Sequence, residues 1–211
     1  MKRVHKASAT PAPLVAFQQD DPKATWDKLR AERRAVYDEL CKTLESDQGG
    51  LCAYCELAAT KEANYLQVEH IVAKSHQDPA CNFALHKSNM LAVCTGGSRW
   101  AGKQARYLGP LPDNLSCDQH KNNLVNTGSL GEDSRGFIVN PLDLPVFPPL
   151  VAVLHDGRLI RHPDVCASVE LSPNAYSSTE DLIARSIEHL NLNCIRLRLA
   201  RLTAARNVAS D

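Results

Sequence analysis

A carboxylate and a histidine stand side by side near the middle of the chain, at Glu69 and His70. The β-branched residues Val68, Ile71 and Val72 flank the pair, which predicts a β-strand whose successive side chains point to opposite faces. A carboxylate can bind a divalent metal ion, and a neutral imidazole can remove a proton from water near neutral pH. Together these groups could hydrolyse a phosphodiester bond with the help of a metal ion. Alone, such a pair is more often two surface residues.

Four of the eight cysteines lie in turn-rich sequence, at Cys52, Cys55, Cys94 and Cys117. The first two have the CxxC spacing that lets two thiolates hold one tetrahedral ion, and the other two are separated by a glycine- and proline-containing insertion. A CxxC pair can also be a redox pair, but the glycines at 49–50 do not match the strand-to-helix setting of redox motifs. We predict a four-thiolate structural zinc site, the alternative for Cys94 and Cys117 being two ordinary buried thiols.

The remaining cysteines are scattered, and a reducing cytosol disfavours structural disulfides. We interpret Cys41, Cys166 and Cys194 as small buried apolar side chains, and Cys81 as a possible spare ligand.

The order of the chemical residues resembles the zinc-stabilised HNH endonuclease family. After the CxxC pair come Glu69-His70-Ile71, then Asn89 followed after four residues by Cys94, and finally Cys117-Asp-Gln-His-Lys121. The resemblance implies a small ββα-metal core in which the cysteines bind structural Zn²⁺. It further implies that His70 is the general base and that Asn89 orders the loop and orients the base.

The same resemblance makes Glu69 and Asp118 the ligands of a catalytic Mg²⁺ or Mn²⁺ ion. Asp118 stands where the family more commonly has Asn or His, so His120 is an alternative ligand. Lys121 would contact phosphate or remain solvated. In the insertion, Arg99 and Lys103, together with Arg106, are candidate phosphate contacts.

A narrower resemblance covers nearly the whole chain. The chain is similar to the HNH subunit of Septu-type and retron-associated anti-phage systems (PtuB-like). The residues that carry this similarity are Trp26, Asp47-Gln48-Gly49, Cys-Ala-Tyr-Cys-Glu56, Cys94-Thr-Gly-Gly97, Asn140-Pro-Leu142 and Leu190-Asn-Leu-Asn193. This resemblance implies an ABC/SMC-like ATPase partner (PtuA-like) and cleavage of DNA or, in some systems, of RNA such as tRNA.

The net charge of the chain does not indicate a nucleic-acid ligand, because 24 basic residues balance 24 acidic ones. Any binding surface must therefore be a local cluster. No stretch approaches roughly 18 consecutive apolar residues, and no apolar segment follows the basic start of the chain. We expect a cytoplasmic protein without membrane contact.

The predicted fold class is α+β. We expect an N-terminal arm and helix (1–50), the HNH core with its zinc site and inserted loop (51–125), and a C-terminal hairpin and helices (126–211). Residues 1–22 read as extended, and apolar spacing predicts one helix over 24–46. An Asp-Gly type I′ turn is expected to close a hairpin over 151–160, followed by helices over 179–190 and 194–206.

Two non-catalytic alternatives remain open. The chain could be a zinc-dependent nucleic-acid-binding module, which explains the cysteines and the basic insertion but not Glu69, His70, Asn89 and Asp118 in family order. It could also be an interaction scaffold with a degenerate core, which would bind no divalent ion at Glu69 and Asp118.

Overall fold

A computed structural model describes residues 1–7, 9–98 and 113–210. The fold is α+β, as predicted. Its helices and strands, numbered in chain order, are α1 (Ala12–Asp20), α2 (Trp26–Glu32), α3 (Arg34–Asp47), β1 (Leu66–His70), β2 (Met90–Cys94), α4 (Asp118–Asn126), β3 (Val151–Val153), β4 (Leu159–Arg161), α5 (Pro163–Ala167), α6 (Thr179–His189) and α7 (Ile195–Ser210).

The N-terminal region is more helical than its sequence suggested. The expectation of an extended arm over 1–22 is wrong, because α1 forms there and buries Leu14 and Phe17. Its prolines sit at the start of the helix, where the missing N–H has no helical partner to lose. The single helix expected over 24–46 is two helices, since Arg33 has non-helical φ and ψ angles of −130° and 52°. Thr25 caps the first of them by accepting a hydrogen bond from Lys28 N.

Strands β1 and β2 form an antiparallel pair that separates two apolar cores. Their register places Glu69 opposite Leu91 and His70 opposite Met90. All five residues of β2 are buried, because this strand is covered on both faces. Met90 packs into the core formed by α1, α2 and α3, whereas Leu91 packs into the larger core shared with α6 and α7. Helix α4 follows the pair in the chain.

The C-terminal hairpin is present, with β3 paired to β4 as predicted. Its turn differs from the expected type I′, because Gly157 has a positive φ of 80° and Asp156 does not. Leu154 N donates to Arg158 O and Gly157 N donates to Leu154 O, as in a three-residue loop that ends in a left-handed glycine. A Cβ atom at Gly157 would lie 2.5 Å from Arg198 O, so the turn packs closely against α7.

The two C-terminal helices form as predicted. Ser178 caps α6 by accepting a hydrogen bond from Asp181 N, and Leu182, Ile183 and Ile187 are buried. Cys41, Cys166 and Cys194 are also buried. Among the described residues, no helix has the length and apolar character that crossing a lipid bilayer requires.

Candidate active site and metal centre

The four predicted cysteine ligands converge on one point. Their sulfur atoms all lie within 4.8 Å of one another, and all four residues are buried. Three of the sulfur–sulfur distances are 3.6 Å (Cys55 to Cys94), 3.8 Å (Cys52 to Cys117) and 3.9 Å (Cys94 to Cys117). A tetrahedral site with zinc–sulfur bonds of about 2.3 Å has sulfur–sulfur edges of about 3.8 Å. The cluster could therefore hold a zinc ion.

The close packing of the four sulfurs shifts the pKa values of Cys117 and Cys94 in opposite directions. Hydrogen bonds among the sulfurs, first of all with Cys52, raise the pKa of Cys117 well above its ordinary value. Hydrogen bonds, led by the one with Cys117, lower the pKa of Cys94. The sulfurs thus share protons unevenly, and a bound cation would displace those protons and leave four thiolates.

Three different segments bring the cysteines together. Cys52 and Cys55 lie in a turn in which Cys52 N donates to Leu57 O, Cys94 ends β2, and Cys117 immediately precedes α4. Cys117 has a φ of 56°, which is uncommon for a residue with a side chain. Its N–H donates to Leu190 O at the end of α6, so the C-terminal region helps to hold this conformation.

Beside the cysteine cluster, two carboxyl groups meet in a buried position. Glu69 on β1 and Asp118 at the start of α4 are close enough for each carboxyl group to shift the pKa of the other. The Lys121 ammonium donates to Glu69 Oε1 at 2.7 Å, to His70 O at 2.6 Å and to Ile71 O at 3.2 Å. The Lys121 ammonium therefore pairs with the Glu69 carboxylate, and its charge also acts on Asp118.

The two carboxyl groups have opposite pKa shifts. Burial, followed by the nearby charge of Glu69, raises the pKa of Asp118 well above its ordinary value. Burial would also raise the pKa of Glu69, but the Lys121 ammonium and the hydrogen bond with Asp118 outweigh it and lower that pKa. The two pKa values therefore move apart, in the direction that favours the proton on Asp118 over Glu69.

His70 faces the other side of β1, as the strand alternation predicted. Its ring packs edge-on against Trp26, with a centroid distance of 4.7 Å, and its Nε2 lies 3.1 Å from Ala84 O. Because a carbonyl oxygen only accepts, Nε2 donates this hydrogen bond and Nδ1 keeps its lone pair. Burial lowers the pKa of His70 to about 4, so the imidazole is neutral at physiological pH.

Asn89 ties together the loop between the strands. Its Oδ1 accepts from Val72 N at 2.8 Å, and its Nδ2 donates to Val72 O at 2.9 Å and to Phe83 O at 2.8 Å. The segment that ends in Ala84, the partner of His70, is thereby attached to the residues that follow β1.

Glu69, His70 and Asp118 all line one cleft of about 540 Å³. The acidic pair and the neutral imidazole therefore border the same cavity. Such a set of groups can bind a cation beside an anionic substrate and accept a proton there.

The comparison with known proteins agrees with this geometry. No family model matches the chain. The chain is 34% identical, over an alignment of 211 positions, to the Escherichia coli protein named "Retron Ec83 putative HNH endonuclease", with 95% of this chain and 78% of that protein covered. The chain belongs to the HNH endonuclease family.

Two of the residues singled out from the sequence of this HNH family member are not part of the two sites described above. His120 is not among the residues that line the cleft, and its Nδ1 hydrogen-bonds to His189 O at 2.8 Å. Cys81 does not belong to the four-cysteine cluster. Lys121 lines the cleft but is not solvated, since its ammonium is 3% exposed and has three acceptors, so the predicted contact with phosphate stays a prediction. Arg99 and Lys103, with Arg106, lie outside the described residues.

Sequence reasoning missed two polar side chains of the site. The Tyr54 hydroxyl, inside the CxxC turn, donates to Glu69 Oε1 at 3.2 Å. Asn122 Nδ2 donates to Asp118 Oδ1 at 2.8 Å. The spacing of four positions from Asp118 on a helix could have identified Asn122, whereas only tertiary packing brings Tyr54 to the acidic pair.

Proposed function

We propose that this protein is a metal-dependent endonuclease that hydrolyses phosphodiester bonds in nucleic acid. The observation that carries the proposal is the contact between the Glu69 and Asp118 carboxyl groups on the wall of a cleft that a neutral His70 also lines. Membership of the HNH family and the name of the Escherichia coli relative support the same chemistry.

Glu69 and Asp118 would hold the catalytic Mg²⁺ or Mn²⁺ ion. The donor set fits such an ion, because both are hard oxygen ligands and two carboxylates leave positions for water and a phosphate oxygen. When bound, the ion supplies charge stabilisation for the phosphate and the leaving oxygen. Lys121, Tyr54 and Asn122 orient the two carboxylates through their hydrogen bonds.

His70 would be the general base. Its hydrogen bond to Ala84 O fixes the ring, and the free Nδ1 accepts a proton from the attacking water. Asn89 acts through the loop, because it holds the segment that carries Ala84. The four-cysteine site would bind structural Zn²⁺ and fix Asp118, the residue after Cys117, beside Glu69.

The biological setting that we propose is anti-phage defence. The relative's name places that protein in a retron, and the sequence resemblance to Septu-type HNH subunits points to an ABC/SMC-like ATPase partner. DNA is the preferred substrate in this proposal, with RNA as the alternative.

The test is cleavage of DNA and RNA with Mg²⁺ or Mn²⁺ by the wild-type protein, His70→Ala and His155→Ala. His155 is an exposed residue of the C-terminal hairpin, outside the cleft. We expect cleavage by the wild type and His155→Ala but not by His70→Ala, although His70→Ala keeps its zinc content and remains folded by circular dichroism.

Cleavage by His70→Ala at the wild-type rate would refute its role as the base. If the wild type binds nucleic acid and Mn²⁺ but cuts nothing, alone or with an ATPase partner, the binding-module alternative holds. A protein that binds neither Mn²⁺ nor nucleic acid would be the interaction scaffold.

A further inference from the structure

The wall of the cleft opposite the acidic pair comes from the N-terminal helices. Trp26 and Arg30 of α2 and Arg34 and Tyr37 of α3 line the same cleft as Glu69 and Asp118. These helices precede the zinc site and the catalytic motif in sequence, and no resemblance assigns them a role.

Two guanidinium groups gather around one aromatic ring on this wall. The Cζ atom of Arg34 lies 5.1 Å from the centre of the Tyr37 ring, and that of Arg30 lies 5.8 Å from it. The Tyr37 ring packs edge-on against Trp26 at 5.5 Å, and Trp26 packs against His70. A continuous series of rings thus connects the two arginines to the proposed base.

Cationic side chains gather on this wall although the whole chain has no formal net charge. Lys74, in the loop after β1, is a third cation that lines the cleft, and its ammonium lies 3.5 Å from the exposed Asp27 carboxylate. The only acidic side chains among the described lining residues are Glu69 and Asp118. A cleft with a buried acidic pair on one wall and exposed cations on the other suits a polyanion whose reacting group lies at a metal ion.

The two arginines are free to exchange partners. Both are exposed, unlike Lys121, whose ammonium is fully engaged inside the protein. Arg34 forms a 3.0 Å ion pair with Asp38, at a site where the arginine side chain is 65% exposed. An exposed pair of this kind contributes little stability, so a phosphate could replace the carboxylate at little cost.

We propose that Arg30 and Arg34 bind the backbone phosphates that flank the scissile phosphate. Tyr37 is the platform that orients them. The inference rests on the proposed nuclease function and names its substrate-binding surface. Guanidinium groups that bind phosphates do not contact base edges. This wall therefore contributes binding affinity and orientation of the nucleic acid, without sequence preference.

The test measures binding without cleavage. His70→Ala protein is titrated with a short fluorescein-labelled DNA duplex across a range of potassium chloride concentrations, and its affinity is compared with that of His70→Ala carrying Arg30→Gln and Arg34→Gln. Each phosphate contact contributes about 0.9 to the slope of log affinity against log salt, or about eightfold in affinity at 0.1 M salt. We expect the double substitution to reduce the slope by about 2 and to weaken binding by about 60-fold.

The matched control replaces Arg158 and Arg185 by Gln in the same background. Both are exposed arginines in ion pairs with acidic side chains, as Arg34 is, but neither lines the cleft. We expect this control to keep the parental slope. Single substitutions of Arg30 and Arg34 should each remove about half of the effect.

The proposal and the proposed function fail differently. Parental affinity and slope in the Arg30→Gln, Arg34→Gln protein would overturn this binding surface, even if the wild type cleaves nucleic acid. Equal losses in the control would overturn it too, because the effect would then be bulk charge. Arginine-dependent binding in a protein that never cleaves would support the surface and refute the nuclease.

Discussion

Replacing Asp118 by Asn should stabilise the protein while removing its activity. In the structure, Asp118 is buried against Glu69, and this burial together with the charge of Glu69 raises its pKa well above the ordinary value. Asn resembles the protonated form in shape and can still donate a hydrogen bond to Glu69. The variant therefore keeps the local geometry. Unlike the wild type, it does not have to bind a proton at position 118 when it folds.

The sign of the effect follows from proton binding. Between the unfolded and folded pKa values of Asp118, the native state holds a proton that the unfolded state has lost, so wild-type stability falls as pH rises. Each pH unit within that interval costs the wild type about 1.4 kcal/mol. The stability advantage of Asp118→Asn over the wild type should therefore grow with pH and level off above the folded pKa.

The assay is denaturant unfolding from pH 5 upward in buffers without added Mg²⁺, Mn²⁺ or chelator, so that the zinc site stays intact. Asp164→Asn is the matched control, because Asp164 also lies in the first turn of a helix but is exposed. Mn²⁺ binding and nuclease activity are measured separately on the same protein preparations, without denaturant. The reasoning is refuted if Asp118→Asn is less stable than wild type at every pH, or if it still binds Mn²⁺ normally.

Three further outcomes are expected. Cys52→Ser should lower the zinc content below one ion per chain and unfold the core, as read by elemental analysis and circular dichroism, whereas Cys81→Ser should keep zinc because Cys81 is outside the cluster. His70→Gln should lose less stability than wild type on acidification. The neutral imidazole contributes about 3 kcal/mol to wild-type stability, and this contribution disappears as pH falls from about 6.5 through the folded pKa of about 4. Parallel curves of unfolding free energy against pH would contradict this. Asn89→Ala should lower the free energy of unfolding by about 3 kcal/mol, because backbone groups of Val72 and Phe83 lose their partners; a change below about 1 kcal/mol in denaturant unfolding would contradict it.

The cysteine cluster could be predicted from the sequence because metal ligands come in recognisable spacings. Cys52 and Cys55 form a local unit, and the chain only has to return twice, at Cys94 and Cys117, to complete it. The opposite facing of Glu69 and His70 could also be predicted, since side chains alternate along any strand. These features depend on local geometry, which the residue types express directly.

The N-terminal helices could not be placed in the same way. Apolar spacing predicted helix over 24–46 but not the break at Arg33, on either side of which α2 and α3 contribute to the same apolar core. The prolines near the start of α1 suggested extended chain, although they are tolerated in a first helical turn. Arg30 and Arg34 come to the cleft only through this packing, which no local pattern describes.

Strand β1 explains why the four-cysteine cluster and the acidic pair form one unit. Its first residue, Leu66, pairs with Cys94 at the end of β2, so the strand that carries Glu69 is in register with one cysteine. Cys117 and Asp118 are consecutive, so another cysteine fixes the second carboxylate. An ion bound by the four sulfurs would thus hold both carboxylates. It would hold Glu69 through the hydrogen bonds between β1 and β2, and Asp118 through its peptide bond to Cys117. Removing that ion should separate Asp118 from Glu69 even where helix α4 survives, and Mn²⁺ binding should be lost before helical content.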